Sequence, residues 1–127
     1  MLILYIAAGG LVGTVLRYAL GGWVHTWSGT WLPWGTLLVN MLGCLVLGFI
    51  MRWTQVVLIS PETRALLTIG FCGAFTTFST LSYETFMLVQ EGAWLRAGLY
   101  SLGSLLTGFV ALAAGVALAA ALSRTGG

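Results

Sequence analysis

The sequence predicts an all-α integral membrane protein: a single membrane domain over residues 1–127, with four transmembrane helices per subunit and a break in the third. Three observations lead there. The chain is 59% hydrophobic and only 6% charged, against about 25% charged in an ordinary soluble domain, and its mean hydropathy is +1.01. Four apolar stretches, roughly 2–22, 34–53, 65–89 and 95–122, each reach the length of about 20 residues that a bilayer core requires. The third stretch is interleaved with glycine and hydroxyl residues in a way that a straight, lipid-facing helix does not explain.

The connections carry loop punctuation: Gly21-Gly22 and Ser28-Gly29 with Pro33, then Ser60-Pro61-Glu62, then Gln90-Glu91-Gly92. They are too short to hold a soluble domain. Tryptophans cluster where spans should meet the headgroups, at Trp23, Trp27, Trp31 and Trp34 around the first loop and at Trp53 and Trp94 later. The first span has no cationic leader and is expected to stay in the mature chain. Five arginines, no lysine and a net charge of +2 give too little basic surface for nucleic acid. Cys44 and Cys72 lie in apolar runs without metal or redox spacing and read as packing residues.

Orientation is weakly specified. With the N-terminus inside, Arg52, Arg64 and Arg124 face one side, and Arg17 and Arg96 the other. So small a bias permits insertion in both directions, and two copies packed antiparallel would enclose a larger interior than four thin helices alone. The pairs Gly9 with Gly13, Ser104 with Gly108 and Ala111 with Gly115 let backbones approach closely. Packing within one subunit and a dimer seam explain them equally well.

Polar groups within the spans are few, and each costs free energy in hydrocarbon unless it is partnered. On the second span Asn40 lies mid-helix, with Thr36 one turn before it and Gly43 on the same face. On the fourth, Tyr100, Ser104 and Thr107 recur along one face. A serine or threonine commonly satisfies itself on a carbonyl one turn back, whereas an asparagine amide needs partners beyond its own helix. In the third span Gly73, followed by β-branched Thr76-Thr77, predicts an interrupted helix around 73–79, whose freed backbone groups must be satisfied by protein or by an ion. Phe78 is either a core aromatic or a ring whose positive edge meets a passing anion. Glu84 is either a buried functional carboxylate or an interface group paired with an arginine.

Three segments, GGLVGTVLRY at 9–18, GTLLVNMLGCLVLG at 35–48 and GFCGAFTTFSTLSYE at 70–84, resemble the signature segments of the CrcB/Fluc fluoride channels. The resemblance covers the first three spans in order. It implies a fluoride-selective channel that exports cytoplasmic fluoride by passive flow. It further implies an antiparallel, dual-topology homodimer in a prokaryotic inner membrane, with two fluoride pathways. A central structural sodium ion would be held by backbone carbonyls that fall here on Gly73 and Thr76. By the same carry-over Asn40 lines the fluoride path, Arg17 sits at a vestibule, Tyr100 and Ser104 belong to the fourth-helix track, and Glu84 is the acidic position after the break. Two positions depart from the pattern. Leu81 stands where the family usually has a second phenylalanine, and Gly108 where the hydroxyl track often continues, with Thr107 beside it as a substitute.

The main alternative is a small dual-topology, proton-coupled drug or cation transporter. Such proteins need a membrane carboxylate early in the first span, and here Glu84 is the sole candidate. An assembly subunit without transport would leave Asn40 and the hydroxyl tracks unexplained. Enzymatic activity is not expected: His25, the only histidine, is read as a residue of the first loop with no carboxylate or metal-ligand companion.

Overall fold

The computed structural model describes residues 1–126. Four membrane-length units follow one another: α1 (Leu2–Ser28), α2 (Trp34–Trp53), a composite third unit and a fourth helix. The third unit consists of α3 (Pro61–Ala65), a π-helical segment over Leu66–Cys72, the single turn α4 (Gly73–Phe75) and, after a break, α5 (Phe78–Gln90). The fourth helix, α6, runs over Trp94–Thr125.

The chain does not turn at Gly21-Gly22 as its composition predicts. Two helical glycines cost only about 1 kcal/mol each against alanine, and α1 continues to Ser28, where Gly29 ends it at φ 77°. The third unit begins on a proper cap, with the Ser60 hydroxyl accepting from the Thr63 N–H at 3.1 Å and Pro61 in the first helical turn. Its π-helical stretch has no sequence signature beyond Gly70 and Gly73. Such segments are uncommon and recur at functional sites.

Helix α2 packs most extensively on α6, and α1 on the π-helical segment and on α2. Small residues make both contacts. A Cβ at Gly9 would strike the Leu66 carbonyl, and one at Gly115 the Leu45 carbonyl. These glycines therefore serve packing inside one subunit. Gly108 differs: it faces open space beside the Cys44 sulfur. The buried apolar cluster is small, comprising Leu32, Leu88, Ala97 and Tyr100 at one end of the bundle. Large side chains such as Leu102, Leu105 and Phe109 stand outward, 70%, 73% and 75% exposed, as suits a surface that meets lipid or another copy rather than water.

Candidate functional site

The break defines the site. Thr76 (φ −87°, ψ 155°) and Thr77 (φ −146°, ψ 111°) are extended, so the helical ladder stops and restarts around them. Thr77 is the N-cap of α5, its hydroxyl accepting from the Thr80 N–H at 3.2 Å. The Asn40 amide clips onto the same residue in both senses: its Oδ1 accepts from the Thr77 N–H at 2.7 Å, and its Nδ2 donates to the Thr77 carbonyl at 3.1 Å. The asparagine thus finds its partners beyond its own helix, in the backbone of the break. Gly43, one turn further along α2, makes room for the Thr76 side chain and for the Phe75 ring.

The first helix holds the break from the other side. Arg17 is half-buried and its Nε donates to the Ala74 carbonyl at 3.0 Å. The resemblance implies a vestibule cation at this position; in the structure part of its guanidinium is engaged with the backbone. The Thr76 hydroxyl turns back to the Cys72 carbonyl at 3.0 Å. Among the described residues, the carbonyls of Gly73 and Thr76 receive no hydrogen bond. The donor that would serve Gly73 in a continuous helix, the Thr77 N–H, is taken by Asn40, and the Thr80 N–H that would serve Thr76 is taken by the cap.

Beside the break lies a groove of about 940 Å³ whose lining includes Asn40, Thr77, Phe78, Leu81, Ser104 and Gly108. Phe78 stands out into open space, 81% exposed. Leu81 also packs against the buried cluster at Tyr100. Ser104 is 8% exposed, and its Oγ is a buried polar atom with no hydrogen-bond partner among the described residues. Thr107 is not among the residues that line the groove, and its hydroxyl donates to the Gly103 carbonyl at 2.7 Å within its own helix. On α6 the two hydroxyls therefore differ: that of Thr107 is satisfied within its own helix, and that of Ser104 is not.

A second cavity, of about 410 Å³, opens at the end of α1 and the start of α2. The Glu84 carboxylate lies there, accepting from the Thr36 hydroxyl at 2.6 Å and from the Tyr100 hydroxyl at 3.4 Å. Its partners are neutral donors and not an arginine. Arg96 instead donates to the Trp31 carbonyl at 2.9 Å and lies 3.8 Å from Glu91. His25 lines this cavity together with Glu84. That corrects the expectation of an isolated loop histidine: because α1 runs on to Ser28, His25 occupies its last turn. Sequence reasoning also missed Thr77 as the residue gripped by Asn40, for which the only signal was a β-branched hydroxyl at the start of a new helix.

Four membrane-length apolar helices, with a discontinuous one gripped by its neighbours beside a groove of sparse polar groups, define a multi-pass membrane protein built around a broken helix. The family model described as CrcB-like protein, Camphor Resistance (CrcB), matches residues 4–116. The chain belongs to this family. Among its relatives, a protein of Thermus thermophilus named "Fluoride-specific ion channel FluC" is 44% identical over 119 residues, 94% of each chain. A protein of Geobacter sulfurreducens with the same name is 48% identical over 115 residues, covering 90% of this chain and 93% of the relative. A third of that name, from Chlorobaculum tepidum, is 48% identical over 118 residues, covering 92% and 93%.

Proposed function

We propose that this protein is a fluoride-selective ion channel that passes the anion down its electrochemical gradient out of the cytoplasm. Fluoride is small and strongly hydrated, so a selective path must substitute donors for its water shell, and must hold the ion weakly enough to release it. The observation that carries the reading is the Ser104 hydroxyl, buried in the groove without a partner among the described residues. Native structures rarely leave such a group unsatisfied unless something else satisfies it, and an anion that accepts its hydrogen does so. Asn40 borders the same groove, with one amide hydrogen left after its bond to the Thr77 carbonyl, and the Phe78 ring offers a positive edge beside it. Neutral donors spaced along a groove give modest binding at several points. Names of relatives that are 44% to 48% identical over nearly the whole chain support the same assignment.

In this reading two copies assemble as an antiparallel, dual-topology homodimer in the inner membrane of a prokaryotic cell, each closing the other's open groove and giving two pathways. The carbonyls of Gly73 and Thr76, without donors of their own, are suitable oxygen ligands for a hard cation, and a structural sodium ion shared between the two breaks would use them. The experiment is fluoride efflux from proteoliposomes under a potassium and valinomycin potential, with chloride in parallel. Fast fluoride release with negligible chloride release is expected. Release of neither ion from folded protein would refute the channel, and pH-driven drug uptake lost in Glu84→Gln would put the transporter in its place.

A further inference from the structure

Two thiols border the groove of about 940 Å³ beside the break, and neither has a role in the site described above. Cys44 comes from α2 and Cys72 from the end of the π-helical segment. Both are free, Cys72 buried and Cys44 half-buried. Distant in sequence, they meet through the register of the fold. The third unit and α2 are joined where Asn40 clips Thr77 and where Gly43 receives the Thr76 side chain. One helical turn from that joint, forward along α2 and backward along the third unit, stand Cys44 and Cys72. The two sulfurs are near enough for a charge on one to act on the other. Space is left beside them: Gly108 of α6 has no side chain, and a Cβ built on it would meet the Cys44 sulfur at 3.5 Å. Ser104, with its unpaired hydroxyl, lies one turn before Gly108 on the same wall.

Thiolates are soft ligands that select soft cations, and a bound metal deprotonates a coordinating thiol outright. Ligand number narrows the choice. Among the described residues no group of three or more His, Cys, Asp or Glu side chains could hold a metal ion, so the tetrahedral ligand set that zinc requires is not present. A cation satisfied by two ligands in a line needs only the two thiols. Charge narrows the choice further. Two thiolates and a divalent ion form a neutral unit, whereas a monovalent ion would leave a net negative charge at membrane depth, where it is costly.

We propose that Cys44 and Cys72 form a two-thiolate site for a soft divalent cation of linear coordination, of which the mercuric ion is the type, and that filling the site obstructs the groove. With mercuric chloride as the source, each thiol gives up one proton, two sulfur–metal bonds form and two chlorides leave, so no group is oxidised or reduced. Mercuric chloride is itself neutral and reaches the groove through the lipid as well as from water. The obstruction rests on the channel reading above; the metal site does not.

The test exposes the reduced protein to mercuric chloride and then to a modest excess of a monothiol, and reads the metal retained per subunit by mass spectrometry of the intact chain. A single cysteine surrenders mercury to the monothiol, while two held together keep it through their high effective concentration. Wild type should retain one mercury per subunit, and Cys44→Ala, Cys72→Ala and Cys72→Ser none; the paired replacements at buried Cys72 guard against one that does not fold. Fluoride efflux after the same treatment is read for each protein as a ratio to its own untreated rate. It should fall at least about tenfold in wild type, the share of sites left empty when ligand stands about tenfold above Kd, and hold near the untreated rate in the variants. Loss of mercury from wild type, retention by a variant, or one metal per two subunits overturns the site. Retention with unchanged efflux overturns the obstruction and takes the thiols out of the route of the ion. Absence of efflux from untreated wild type overturns the channel reading, while the mass measurement still decides the metal site.

Discussion

Replacing Ser104 by alanine removes one oxygen from the groove and should separate conduction from stability. The serine Oγ is buried and has no partner among the described residues, and a buried unpaired hydroxyl costs roughly 1–3 kcal/mol. Its loss, together with the better helix propensity of alanine, should leave the folded protein as stable as wild type or about 1 kcal/mol more stable. Conduction should move the other way. A hydrogen bond to an ion is worth about 1.5–3 kcal/mol, and at about 1.4 kcal/mol per factor of ten the fluoride rate should fall roughly ten- to hundredfold. Both quantities are measurable on one preparation, by proteoliposome efflux and by SDS titration of the folded protein in mixed micelles. A variant destabilised by more than about 1 kcal/mol, or one that conducts within about twofold of wild type, refutes the reasoning, because the hydroxyl would then have a structural partner outside the single chain.

Asn40→Leu keeps the volume but strips both hydrogen bonds from Thr77; a loss of at least about 2 kcal/mol in the same SDS titration is expected, since the extended Thr77 backbone has no helical alternative. Thr107→Val removes a hydroxyl that serves only its own helix, and both stability and fluoride rate should stay within about 0.5 kcal/mol and twofold of wild type. Gly115→Ala drives a methyl into the Leu45 carbonyl and should cost about 1–3 kcal/mol, whereas Gly98→Ala, which meets nothing within 4 Å, should be neutral or stabilising by up to about 1 kcal/mol. Exhaustive exchange of sodium for a large organic cation, followed by size-exclusion chromatography and efflux, should lower both dimer content and rate; full retention of both after prolonged incubation counts against Gly73 and Thr76 as cation ligands.

Much of this architecture was legible because lipid imposes strong rules. Span number followed from apolar length, and the interruption near Thr76-Thr77 from glycine and β-branched residues where a straight helix had no use for them. Asn40 stood out because a mid-membrane amide cannot satisfy itself. What was not legible depended on neighbours. The helical path through Gly21-Gly22 is permitted by propensity and stabilised by the contact with Gly35, which has no local signature, and with it went the placement of His25. Arg17 was expected at a vestibule, and nothing in its surroundings in sequence indicates that its Nε reaches a carbonyl 57 positions away. The hydroxyls of Ser104 and Thr107 lie three positions apart on one helix, so which of them stays unpaired depends on the rotamer and the facing helix.

The two grips on the broken span, Arg17 on Ala74 and Asn40 on Thr77, come from different helices and seize it on either side of the bend. A joint braced from two directions resembles a truss more than a hinge, because swinging it would first break both grips. A conduit whose bend does not move must select by its lining alone. Its discrimination must then be severe, since even a slight leak of the far more abundant chloride would run continuously and dissipate the membrane potential. The stiffness of the joint thus transfers the whole burden of control from motion to chemistry.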